Sequence, residues 1–210
     1  MTRGNTRRRI TTADHTRPMT RLPDHVETER LVLRRWEPAD APALGVATAE
    51  SVEHLRPWMP WAAGEPVLLA DRVRWIEHGN RTWEAGGDVV LGILLADGTV
   101  IGGTGLHRRA GPDTLEIGYW LHVDHTARGY VSEAASALTD AAFTVPGIEH
   151  VEIHHDRANA ASGLVPERIG YTCVGEISPP ADSAPGESGV HLCWRATRTD
   201  WPAARSYSPR

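Results

Sequence analysis

The stretch Leu115–Ala134, LEIGYWLHVDHTARGYVSEA, carries the densest chemistry in the chain. A strand ending near Leu121 runs through a short loop into a helix that opens at Gly129-Tyr130, so the backbone N–H groups of Arg128 to Ser132 have no acceptor within the helix. A phosphate-type anion placed there gains hydrogen bonds and the positive end of the helix dipole, and Gly129 allows close backbone approach. On the residues alone, this is either such an anion site or simply a helix that begins at a glycine-containing turn. It is neither a Gly-x-x-x-x-Gly-Lys loop nor a Gly-x-Gly-x-x-Gly fingerprint. Two further sets, His122/Asp124/His125 and His150/His154/His155/Asp156, contain metal-ligand types. Their spacing is poor: His154 and His155 point to opposite faces of a strand, and no cysteine pair joins either set, so no metal is expected. Cys173 and Cys193 are expected as core residues of the last two strands, with no neighbouring base to activate either thiol.

The elements that must position these residues follow from hydrophobic period. ERLVLRRW (Glu29–Trp36) alternates as a half-buried strand, and Pro38 and Asp40 are start signals for a helix over Ala41–Glu50. Val67–Glu84 places Leu69, Val73, Ile76 and Trp83 on one helical face and stops at Gly86-Gly87. Three strands follow, over 88–96, 99–109 and 114–122, and Asp97-Gly98 marks the first hairpin. A helix over Gly129–Phe143, a strand over His150–His155, a helix over Ala158–Ile169 and two strands, 171–177 and 190–196, complete a mixed α/β (α+β) fold. The expected domain is residues 25–197, with disordered tails at 1–24 and 198–210.

Composition narrows the function classes. All 22 basic residues are Arg, six of them within residues 1–22 beside a single acid, which leaves 16 Arg against 26 acids in the remainder. An acidic body suits an amine-bearing partner and argues against nucleic acid. No apolar run reaches the roughly 18–20 residues of a membrane span, and the Arg/Thr-rich first residues lack a secretory h-region, so a cytoplasmic protein with no membrane partner is expected.

Five ordered motifs, ETERLVLRRWEPAD, HLRPWMPW, EIGYWL, ARGYVSEA and NAASGLVPERIGY, resemble the GNAT N-acetyltransferases of RimJ/RimL type, which acetylate amino-termini of ribosomal proteins. The resemblance covers about Glu27 to Trp194. It implies a mixed, mostly antiparallel sheet, flanked by helices and splayed at its centre, that takes acetyl-CoA as co-substrate. The pantetheine would lie beside Tyr119, Trp120, Leu121 and His122, and the pyrophosphate on the loop Ala127, Arg128, Gly129, Tyr130, Val131 and Ser132. Asn159 matches the family's pantetheine contact, and Ser162 matches its serine beside the thiol. Trp58 and Trp61 lie where the family builds one wall of the acceptor site. Against the usual Gln/Arg-x-x-Gly-x-Gly/Ala loop, this chain keeps the central Gly129 but has Thr126 at the first position and Val131 at the last.

The implied reaction needs a neutral amine, stabilisation of an oxyanion and a proton for the departing thiolate. An α-amine, with a pKa near 7.7–8.0, asks little of a base, whereas a lysine near 10.4 asks much more. Glu116, on the strand before the loop, is the first candidate base, with Asp156 and Glu176 behind it and Asp182 and Glu187 as looser alternatives. Ser162 is the candidate thiolate donor, although Asn159 and Ser162 are also ordinary helix-capping residues. Tyr119 and Tyr130 could also donate to sulfur, or belong to the core. The expected acceptor is a protein or peptide N-terminus; the alternatives are a small-molecule amine, or a non-catalytic domain that binds a CoA ester or a protein partner. A homodimer and a monomer are both compatible with the sequence.

Overall fold

A computed structural model describes residues 21–178 and 182–201, so most of the expected N-terminal tail lies outside the described residues. One sheet carries eight strands in the order β1-β2-β3-β4-β5-β6-β8-β7. They are β1 (His25–Glu27), β2 (Leu31–Arg35), β3 (Val89–Leu95), β4 (Val100–His107), β5 (Thr114–Leu121), β6 (His150–Asp156), β7 (Thr172–Ile177) and β8 (His191–Thr197). Every neighbouring pair is antiparallel except β5–β6. Among the described residues four α-helices accompany them: α1 (Ala41–Leu55), α2 (Leu69–Glu84), α3 (Tyr130–Phe143) and α4 (Ala160–Ile169).

Strand alternation divides the burial between two faces. Leu31, Leu33, Leu91, Ile93, Leu115, Ile117, Val151 and Ile153 meet Ala134, Ala135 and Leu138 of α3 in the main core. On the other face Trp36, Leu94 and Val100 meet Leu44 and Ala47 of α1 and Ile76 of α2, with Trp120 packed alongside. Among the described residues, no helix is long and apolar enough to cross a membrane.

The element order expected from the sequence appears with one addition, β1, whose three residues are too few to show a period. Three other expectations are corrected. Leu22, expected in the tail, is 1% exposed, and its carbonyl accepts from Trp83 Nε1 at 2.7 Å. The ordered body also passes Thr197: Trp201 is buried against Tyr171 and donates to Asp140 Oδ1 at 2.7 Å, while Arg198 donates to the carbonyls of Phe143, Val145 and Ile148. Cys173, expected in the core, is exposed because β7 is an edge strand exposed on both faces; Cys193, on β8, is buried.

Candidate active site

β5 and β6 pair in parallel only at Thr114↔His150, Leu115↔Val151 and Glu116↔Glu152. Beyond that point β5 stays with β4 up to Leu121 and β6 stays with β8 up to Asp156, so a wedge opens between the two central strands. The backbone polar groups along its edges lack a strand partner, a ready template for an extended amide-bearing chain. The β4–β5 register runs unbroken from Gly102↔Leu121 to His107↔Glu116, so no bulge disturbs the alternation. Tyr119 and Leu121 therefore face the α3 side, and Glu116, Gly118 and Trp120 face the α1/α2 side.

At the open end of the wedge, β5 leads through a single 3-10 turn (Val123–His125) into α3. Gly129 is the N-cap at φ 79°, and Ala127, at φ 59°, is the one non-glycine with positive φ among the described residues. Two left-handed residues so close turn successive amides toward a common point, a backbone nest for an anion. Glu133 N–H reaches Gly129 O at 3.0 Å, whereas among the described residues no protein acceptor takes the amides of Arg128 to Ser132. Val131, the departure from the usual pattern, packs its branched side chain against the main core and away from these amides. Thr126 bonds locally, its hydroxyl donating to Val123 O at 2.9 Å.

The loop is propped from the turn between β1 and β2, by residues that sequence reasoning missed. Glu133, 3% exposed in the first turn of α3, accepts from Thr28 Oγ1 (2.5 Å), Arg30 N (3.0 Å) and Arg30 Nε (2.6 Å). Arg30 also donates to Arg128 O at 3.1 Å and stacks 4.6 Å over the Tyr130 ring. It thereby offsets the Glu133 charge, which would otherwise repel an anion at this helix end. An acidic residue in a first turn was the available signal; its partner, more than 100 positions away, was not readable.

Two candidate proton donors meet near the wedge. Tyr119 Oη lies 3.0 Å from both the carbonyl oxygen and the Oγ of Ser162, joining β5 to the start of α4. Burial pushes the Tyr119 phenol far above its ordinary value, against the opposing pull of Ser162, so it stays protonated and keeps donating. Asn159 Oδ1 caps Ser162 N at 3.2 Å, which holds the serine at the first turn. Tyr130 is not part of this group; it sits at the loop beside His125 and Arg30. The ring of His122 is likewise occupied: Nδ1 accepts from Asp124 N at 3.1 Å, and Nε2 faces Glu50 at 2.9 Å.

The opposite face is acidic and clamped. Glu116, 6% exposed, takes two hydrogen bonds from Arg109, at 2.7 and 2.5 Å, and lies 3.4 Å from His154 Nδ1. Burial alone would raise its pKa, but the Arg109 hydrogen bonds, with His154 and the Arg109 charge, draw it below the ordinary glutamate value. Glu152 is held the same way by His154 (2.7 Å) and Arg195 (2.8 Å), down to about 2 against its burial. Asp156, also at about 2, accepts from Ala158 N, Ser188 Oγ and Gly189 N. Glu176 is exposed and paired with Arg157, while Asp182 is exposed. Glu116, Glu152 and Asp156 are thus all drawn away from the raised pKa of a strong general base.

His155 is a satisfied core residue: Nδ1–H donates to Asp156 O, Nε2 accepts from Trp194 Nε1 at 3.0 Å, and burial lowers its pKa and keeps it neutral. Trp61 meets Trp120 edge-on at 5.9 Å, and Trp120 fits because Gly103 lies beneath it, where a Cβ would come within 2.4 Å of Nε1. Trp58 is half-buried after α1, its amide bonded to Leu55 O.

The family described as "Acetyltransferase (GNAT) domain" matches residues 30–172. YdaF of Bacillus subtilis (strain 168), named as a candidate ribosomal N-acetyltransferase, is 28% identical over 144 residues, covering 68% of this chain and 78% of YdaF. Among solved structures, Mycobacterium smegmatis RimJ in complex with CoA-disulfide superposes with TM-score 0.73 at 22% identity, covering 86% of this chain and 90% of RimJ. The microcin C7 self-immunity acetyltransferase MccE, in complex with acetyl-CoA and AMP, gives TM-score 0.73 at 20% identity, covering 81% of this chain and 93% of MccE.

Proposed function

The chain belongs to the GNAT acetyltransferase family, and from that premise we propose that it moves an acetyl group from acetyl-CoA to the α-amine of a protein or peptide N-terminus, as enzymes of RimJ/RimL type do. The amide nest at Ala127–Ser132 and the unpaired strand edges fit the pyrophosphate and the amide-bearing arm of the co-substrate, which supplies the activated acyl group. The remaining work falls to this chain's side chains. Ser162 Oγ and Tyr119 Oη hold the proton that a departing thiolate requires.

The observation that carries the choice of acceptor is the Arg109 clamp on Glu116. A carboxylate held below its ordinary pKa drives deprotonation weakly, which suffices for an α-amine near 7.7–8.0 and not for a lysine near 10.4. Glu116 receives the amine's proton on this reading, and the Trp61–Trp120 pair forms an apolar wall for the acceptor's first side chain. The name of YdaF, a candidate ribosomal N-acetyltransferase, supports the protein acceptor. The test is calorimetric titration of acetyl-CoA followed by a panel of N-terminal peptides, a lysine-only peptide and small amines. Micromolar acetyl-CoA binding with turnover confined to free peptide α-amines is the expected result. Turnover confined to small amines would reassign the acceptor, and absence of acetyl-CoA binding would remove the activity.

A further inference from the structure

A second cluster on the acidic face is built differently from the clamped one. Asp156 ends β6, His191 opens β8 directly across the ladder from it, and Glu187 stands one helical turn's spacing before His191 in the β7–β8 loop. His191 Nε2 lies 3.6 Å from Glu187 Oε1 and 3.9 Å from Asp156 Oδ2. These distances exceed the roughly 2.7–3.2 Å of a hydrogen bond. Nε2 is itself buried without a hydrogen-bond partner, on a residue only 7% exposed. A buried imidazole nitrogen with nothing to bond is unfavourable unless another group completes it.

From this geometry we propose that Asp156, Glu187 and His191 bind a divalent transition-metal cation of the zinc class. Ligand atoms about 2.0–2.2 Å from a tetrahedral ion stand about 3.4 Å apart, close to the separations found here. One imidazole with two carboxylates neutralises a doubly charged ion and prefers zinc-like ions to magnesium or calcium. Both carboxylates are oriented by hydrogen bonds of the kind that align metal ligands: Asp156 by Ala158 N, Ser188 Oγ and Gly189 N, Glu187 by Ala184 N at 3.1 Å on its other oxygen. Three protein ligands leave a fourth position for water or another donor.

The neighbouring trio Glu152, His154 and Cys193 makes the contrast. Its ligand atoms are equally close, but Arg195 already supplies the cation, and burial beside Glu152 pushes the Cys193 thiol up to about 12, so it holds its proton. The proposed ion would fasten the β7–β8 loop to the end of β6. That loop in turn donates Gly186 N to Pro57 O at 2.9 Å, next to Trp58, so occupancy would stiffen the segment beside the tryptophan wall.

The test is calorimetry of the untagged full chain with zinc chloride, with magnesium and calcium chloride run in parallel and thermal unfolding followed with and without zinc. One zinc per chain at micromolar affinity, a raised Tm and no binding of magnesium or calcium are expected. His191→Gln and, separately, the loop substitution Glu187→Gln should each weaken binding by at least about tenfold and abolish the Tm rise. Glu187→Gln guards against a folding defect in the buried His191 variant. Absence of zinc binding, or binding unchanged in both variants, overturns the site. Because zinc binding is read directly, this outcome does not depend on whether the chain acetylates any amine.

Discussion

The two sides of the wedge present opposite electrostatic character and are built of different materials. On the α3 side the proposed anion site is built of backbone, with the amides of Arg128 to Ser132 presented by Ala127 and Gly129 in left-handed conformations, beside one hydroxyl pair, Tyr119–Ser162. On the α1/α2 side the proposed amine and cation sites are built of side chains, with Glu116 and Glu152 held by Arg109 and Arg195 and Asp156 held by amides. Backbone recognition tolerates substitutions such as Thr126 and Val131, because the groups that bind are present in every residue. Side-chain recognition does not, because each carboxylate's basicity is set by the one or two partners it meets.

Four measurements would break or sharpen that contrast. The largest effect is expected for Ser162→Ala: loss of the proton donor should lower kcat about 100-fold with acetyl-CoA affinity nearly unchanged. Steady-state rates within a few-fold of wild type would remove Ser162 from the chemistry. Gly129→Ala comes next, since a side chain at φ 79° carries about 1–2 kcal/mol of strain, which should weaken acetyl-CoA binding about 5- to 30-fold while sparing kcat at saturation. Calorimetry that finds wild-type affinity would show that the nest is not the anion site. Glu116→Gln should slow transfer to an α-amine by only about tenfold and leave the rise in rate between about pH 6 and 8 in place, because the clamped carboxylate is already ionised there and the rise follows the amine's own deprotonation. A wild-type rate at saturating substrate excludes it as the base.

The smallest effect concerns stability. The folded pKa of Glu152 is drawn down to about 2 from an ordinary 4.5, and that of Asp156 to about 2 from 3.8. The stability these groups contribute is therefore complete above the unfolded values and lost as pH falls toward the folded ones. Denaturant midpoints should decline from about pH 4.5 downward, and Glu152→Gln should make that decline shallower. An equally steep decline in the variant would show that the Arg195 clamp contributes nothing to folding.

The amino-acid sequence by itself determined the strand and helix order, the hairpin at Asp97-Gly98 and the amide-bearing helix start at Gly129, because each is written within a few consecutive residues as period, turn chemistry or missing helical acceptors. It missed β1 and the packing of Arg198 and Trp201, which are too short or too polar to carry a period. Only the tertiary structure decided that Tyr119 meets Ser162, that Arg30 props the loop through Glu133, that Arg109 and His154 converge on Glu116, and that His191 stands across from Asp156. Those meetings depend on where β5 parts from β6 and on the register of β6 against β8. Both are set by core packing over long sequence separations, for which no local pattern of residues is a sufficient record.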